Sequence, residues 1–181
     1  MPTPWIPKYN TQFVEPLVNN LLPYLKANSA AALIWACGSV VLEGYTPFPD
    51  EAVYNSTVAL GQKTFPDLFV WKVTSQTLDE AADESDVREL HNIVLCFELV
   101  GEDITELTVR QWRYMNALDS MCRSVPTATL YAGMIGTRHG AIEVVNHDYG
   151  MPRKFEKELW LRAGMLTVAI AMRETRNNAY V

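Results

Sequence analysis

Basic residues are scarce in this chain: fifteen Lys and Arg stand against twenty-one Asp and Glu in 181 residues, giving a formal charge of −6 and a pI near 5.1. That deficit disfavours a whole-domain electrostatic grip on a phosphate backbone. The shortage is uneven. Residues 1–90 hold eleven acids and five bases (−6), and residues 91–181 hold ten of each (0), so any attraction to an anion is local and C-terminal. Cysteine is scarce too. Cys37, Cys96 and Cys122 are odd in number, lie in apolar stretches and lack CxxC spacing, which reads as buried thiols in a reducing compartment. Three histidines without i,i+4 pairing give no metal motif, so no metal or cofactor is expected.

Long apolar runs are missing as well. The longest, Ala30 to Leu42, is broken by Gly38 and Ser39 and falls short of the roughly 20 residues that span a bilayer. The first ten residues, MPTPWIPKYN, hold three prolines and one basic residue and have none of the regions of a signal peptide. The expectation is a soluble protein made in the cytoplasm, with no membrane partner. What is present is an ordinary globular composition, 49% hydrophobic and 20% charged. A chain of this length suits one domain that buries roughly 70% of its unfolded surface without disulfide or metal support.

Residues 1–10 read as an extended arm, because Pro2, Pro4 and Pro7 fix φ and bias their predecessors away from helix. Residues 11–181 then form a single domain. Phe13, Leu17, Val18, Leu21, Leu22 and Leu25 recur at helical spacing from Thr11 to Lys26. Pro23 should kink or divide that helix, with a second one over Ser29–Leu42 ending near Gly44. Residues 45–66 read as mostly loop, with a short helical turn around Ala52 to Ala59. Leu68–Thr74 suits a strand, an acidic loop spans Asp79–Asp86, and Leu90–Val100 alternates, with His91, Ile93, Leu95, Phe97 and Leu99 on one face. At Gly101-Glu102-Asp103 the period turns helical: Asp103 is the N-cap, Glu106 completes an acid–x–x–acid box, and a helix runs over Ile104–Ser124. After Pro126, Thr127–Tyr131, Ala141–Asn146 and Trp160–Glu174 favour strand, with Gly164 read as a bulge or bend. The element order predicts an α+β fold: a mixed, largely antiparallel sheet of four to five strands packed against a long helix, with additional N-terminal helices.

No catalytic motif stands out. Gly133, Gly136 and Gly140 (GMIGTRHG) have no strand-then-helix context for a phosphate cradle and read as a loop, one that could order against a neighbour through Arg138 and His139. His139, His147 and Asp148 are the one His and carboxylate set on which a small cytoplasmic enzyme could be built; otherwise His147-Asp148 reads as a turn. The acids Asp79, Glu80, Asp83, Glu84 and Asp86 lack the glycine and final Glu of a calcium loop. Charges alternate in sign over Arg153–Glu158, which suits an edge strand or an intersubunit ion-pair surface. The C-terminal strand could complete its own sheet or pair across subunits.

The order of elements resembles the tail terminator (tail completion) and neck proteins of long-tailed bacteriophages. The resemblance covers roughly residues 60–175. It is carried by Phe65-Pro66-Asp67-Leu68 into the first strand, the acidic insertion before Glu89-Leu90-His91, and the Gly101-Glu102-Asp103 turn into a helix with Arg113-Tyr114 and Ala117-Leu118. His147-Asp148-Tyr149 then precedes the Leu161-Arg162-Ala163-Gly164 strand that ends in Glu174. The resemblance implies a virion structural protein without catalysis, a homohexameric ring that caps the tail tube and meets the head-side connector. DNA would pass through the ring without specific binding. Interface candidates are Trp5, Ile6 and Tyr9 in the arm, Arg138 and His139 in the glycine loop, and Arg153, Lys154, Lys157 and Arg162 before the last strand. Alternatives are another head–tail connector or tail adaptor, the small enzyme, and a monomeric adaptor that binds through the N-terminal helices.

Overall fold

Asp103 starts the central helix as its neighbours predict. In a computed structural model that describes residues 14–39, 44–49, 65–80, 86–134 and 137–175, its carboxylate accepts from the backbone N–H of Thr105 (2.6 Å) and Glu106 (2.9 Å). Helix α2 then spans Ile104–Ser124, the predicted bounds, and buries Leu107, Gln111, Tyr114, Met115, Ala117, Leu118, Met121 and Cys122 along one stripe. Asp103→Ala removes the cap, and unfolding in urea should show a loss of about 1 kcal/mol.

Helix α1 covers Val14–Ala36 without a division at Pro23, which corrects the two-helix expectation. Pro23 and Asn19, whose carbonyl it cannot serve, both lie on the exposed side, while Leu17, Leu21, Leu22, Leu25 and Leu33 are buried on the other. Core packing along the whole stripe outweighs one lost hydrogen bond. The helix stops earlier than periodicity suggests, because Gly38 (φ +63°) turns left-handed, with Gly38 N–H donating to Trp35 O and Ser39 N–H to Ile34 O. The strap at 44–49 is pinned over the helices: the Tyr114 hydroxyl donates to Thr46 O (2.6 Å), and Phe48 N–H donates to Ser29 Oγ (3.1 Å).

The α+β fold with an antiparallel sheet is as predicted. Strands β1 (Asp67–Glu80) and β2 (Asp86–Gly101) extend beyond the expected segments, into both ends of the acidic stretch expected to be loop. A four-residue helix α3 (Thr127–Leu130) stands where strand was expected, since the N–H groups of Thr129 and Leu130 close back on Pro126 O. Strands β3 (Thr137–Tyr149), β4 (Arg153–Lys154) and β5 (Trp160–Thr175) follow. The order is β1-β2-β5-β3, with β4 also on β5 and every pairing antiparallel. The C-terminal strand is therefore central, paired on both sides within its own sheet. Its register with β2 runs unbroken through Gly164, which is not a bulge.

One sheet face, with Leu68, Val70, Ile93, Leu95, Phe97, Leu99, Leu166, Val168, Ile170 and Met172, packs on α1 and α2 as the core. Cys96 and Cys122 are buried and Cys37 is partly so, and burial pushes the Cys122 thiol well above its ordinary value. The expected arm at 1–10, the turn around 52–59 and the acids Asp83 and Glu84 lie outside the described residues.

Candidate interaction surface

Register, more than composition, decides which side chains reach the surface. Strand β1 shifts by one residue against β2 between Val70 and Lys72 and again between Thr77 and Asp79. Strand β3 shifts against β5 between His139 and Ile142 and between Val144 and Asn146. The supernumerary residues are turned out of the ladder. Trp71, Leu78 and Val145 occupy such places, and all three are large, apolar and exposed. Gly140 sits at the other shift, where a Cβ would come within 2.5 Å of the carbonyl oxygen of Ala171, so only glycine lets the strands approach. Further exposed apolar groups are Trp35 on α1, Ile104 and Trp112 on α2, and Tyr149 and Met151 at the end of β3. An open depression of about 240 Å³ lies between α1 and α2, lined by residues that include Tyr24, Trp35 and Met121.

The Val144/Asn146 shift also re-aims the polar end of β3. Val144 lies opposite Val168 on the helix-facing side, but after the shift it is His147, opposite Leu166, that faces α2, while Asp148 pairs with Met165 on the other face. His147 Nε2 lies 3.0 Å from Asp119 Oδ1, whose partner Oδ2 accepts from Arg123 Nε at 2.9 Å. Partial burial pushes the Asp119 carboxyl up, but Arg123 and His147 outweigh it and hold it below the usual carboxylate range. His147-Asp148 is thus strand, not turn. His139 pairs with Met172, six residues along β5 from Leu166, or about 20 Å at strand rise. The three residues of the enzyme reading do not converge.

The interface candidates are dispersed as well. Trp5, Ile6 and Tyr9 lie outside the described residues. Arg138 and His139 belong to β3 rather than to a loop, opposite Arg173 and Met172. Arg153 and Lys154 form the exposed strand β4, and the Lys154 ammonium sits 4.3 Å from the centre of the Trp160 ring. Lys157 is exposed in the turn that follows. Arg162 is half-buried and points at α2, donating to Gln111 Oε1 at 2.6 Å. Since Arg138 is level with Arg173 and Lys154 with Trp160, the two basic groups stand about 40 Å apart along β5.

Among solved structures, the chain is similar to one in the virion of a native gene transfer agent (GTA) particle, at a TM-score of 0.38 and 12% identity, over 82% of this chain and 90% of that one. At that level the likeness carries no argument about function. No family model matches the chain, and no curated protein matches it. Among the described residues, no helix is long and apolar enough to cross a membrane, and no three His, Cys, Asp or Glu side chains are grouped to hold a metal ion.

Sequence reading missed one polar cluster. His91 lies on the core face, as its alternation predicts, and is buried there. Its Nδ1 is 2.8 Å from the Ser75 hydroxyl across the strand pair, and its Nε2 is 3.5 Å from Glu89 Oε2. Burial lowers its pKa from 6.5, and Glu89 only partly opposes that. The folded chain therefore binds this proton less readily than the unfolded one, and stability falls as pH drops below about 6.5 until the folded imidazole itself protonates. His91→Gln should flatten that part of the stability profile, read by urea unfolding between pH 5 and 8, a range of about 1.5 units either side of the ordinary value. An unchanged slope would show that His91 is not its source.

Proposed function

We propose that this chain is a structural virion protein, a tail terminator or neck ring of a long-tailed bacteriophage. Its work is done by interfaces: with copies of itself in a homohexamer, with the tail tube and with the head-side connector. The supporting observation is the placement of large apolar groups, Trp71 and Leu78 on the edge strand β1 and Val145 and Tyr149 on the edge strand β3, with Trp112 outside α2. Apolar surface presented along strand edges marks sites of protein–protein contact. The net charge of −6 suits a lumen that DNA traverses without being held.

The test is the composition of purified particles. Mass spectrometry should find the chain in assembled virions, and electron microscopy should place it in a ring between head and tail. Its absence from particles, or its presence only in the host cytosol, would overturn the proposal.

A further inference from the structure

The two outer strands of the sheet make a matched pair. Along β1-β2-β5-β3 every neighbour is antiparallel, so β1 and β3 run in opposite directions, and among the described residues neither has a strand on its outer side. A copy whose β1 meets the β3 of the one before it would continue the sheet antiparallel, with the same face on the same side. Such a head-to-tail contact uses two different surfaces of each copy and leads to a ring when its rotation closes.

The edges also correspond in detail. One transverse row of the sheet runs Lys72–Val94–Thr167–Asn146. Both edges carry a register shift beside this row, with Trp71 next to Lys72 and Val145 next to Asn146. These two side chains are 63% and 59% exposed and flank the row from opposite sides, Trp71 towards Val70 and Val145 towards Val144, so each edge is apolar within one residue of it. On the face away from the helices, Lys72 is exposed on β1. On that face of β3 stand Glu143, level with Ala169, and Asp148, level with Met165, two rows to either side of Asn146. With the rows aligned across the contact, Lys72 of one copy faces Asn146 of the next and has both acids as diagonal neighbours about 7–8 Å away. Charge and apolar surface are thus complementary between opposite edges, whereas two β3 edges would set acids against acids.

We infer that copies of this chain join head to tail, with Trp71 and Lys72 on the β1 edge of one received by Glu143, Val145 and Asp148 on the β3 edge of the next. The bulged residues fill the seam between the edges, and the Lys72 ammonium fixes its height. This rests on the ring reading above for its biological meaning, but it can fail separately.

Two full-length variants, Trp71→Cys and Val145→Cys, provide the test. Mixed under mild oxidation, they should form a disulfide-linked heterodimer about tenfold faster than either variant links to itself, because the seam raises the local concentration of one thiol near the other. No excess over self-linking would overturn the inference. Charge reversal is the second arm. Lys72→Glu should abolish the excess, and adding Glu143→Lys and Asp148→Lys in the Val145→Cys partner should restore it. Linking that is indifferent to these reversals would likewise refute the seam. Should the chain be absent from particles while the excess persists, the ring reading falls and this contact stands. Rings in particles without any excess would mean the opposite.

Discussion

Gly164→Val should leave the chain unable to hold its native structure at ordinary temperatures, and Gly164→Ala should cost about 2–3 kcal/mol in urea unfolding, at the upper end of overpacking losses. Gly164 is buried on β5 against α2, where a Cβ would overlap the Phe97 Cζ and Cε1 atoms and come within 3.0 Å of Met115 Cε. Met115 can swing its flexible end aside. Phe97 cannot, because its ring is fully buried, stacked on Tyr114 with centroids 6.0 Å apart, and in contact with Phe48 at 6.3 Å. Valine adds two further carbons to the same overlap, and a loss of about 4 kcal/mol or more would consume most of the stability at the low end of the usual range of about 5–15 kcal/mol. Phe97→Leu placed with Gly164→Ala should recover part of the loss, a coupling that a double-mutant cycle measures. Unchanged stability in Gly164→Ala would mean that the ring and the strand are not packed this closely.

Gln111→Leu should cost about 3 kcal/mol although leucine fits a buried helix position, because three hydrogen bonds are removed at once, with Ala163 O keeping the Gly150 N–H. The Gln111 side chain is fully buried; its Nε2 donates to Ala163 O (2.6 Å) and Gly150 O (3.2 Å), and its Oε1 accepts from Arg162 Nη1 (2.6 Å). The two carbonyls belong to β5 and to the residue just beyond β3, so this one amide ties α2 to the neighbourhood of Tyr149. Leaving a partly buried guanidinium without its acceptor adds to the cost. Adding Arg162→Leu to Gln111→Leu should restore part of the stability. Hydrogen exchange in the variant should also rise at the C-terminal end of β3, where a uniform loss would argue against a local tie.

Much of the fold could be read from the residues. Helix α2 was legible at both ends because its N-cap, its stripe and Pro126 are local signals that agree. The alternation of β2 was legible because one face meets the core and strand period is fixed at two. Pro23 misled because local backbone preference is a smaller quantity than the burial of five leucines on the opposite side of α1. Thr127–Leu130 misled because β propensity reflects packing on a sheet, and this segment is instead closed by bonds to Pro126. The surface was the least legible part. Trp71 and Lys72 read as residues of one strand, and Glu143 and Val145 as residues of another, with nothing to mark them as surface contacts. Basic residues near the C-terminus stand out by their charge, yet Arg162 is spent on Gln111 and the rest are spread from one end of the sheet to the other.

What lies inside this protein, the α+β class, the long helix and the identity of the inward faces, follows from the order of residues alone, because periodicity records burial one segment at a time. The edges take their form only from the packing of distant strands. Which residue is pushed out at a register shift depends on the strand alongside, and the strands that set the positions of Trp71 and Val145 both lie more than twenty residues away in the chain, at Val94 and at Thr167 to Val168. No local pattern encodes that, since a one-residue slip moves every following side chain to the other face without altering a single neighbour in the sequence.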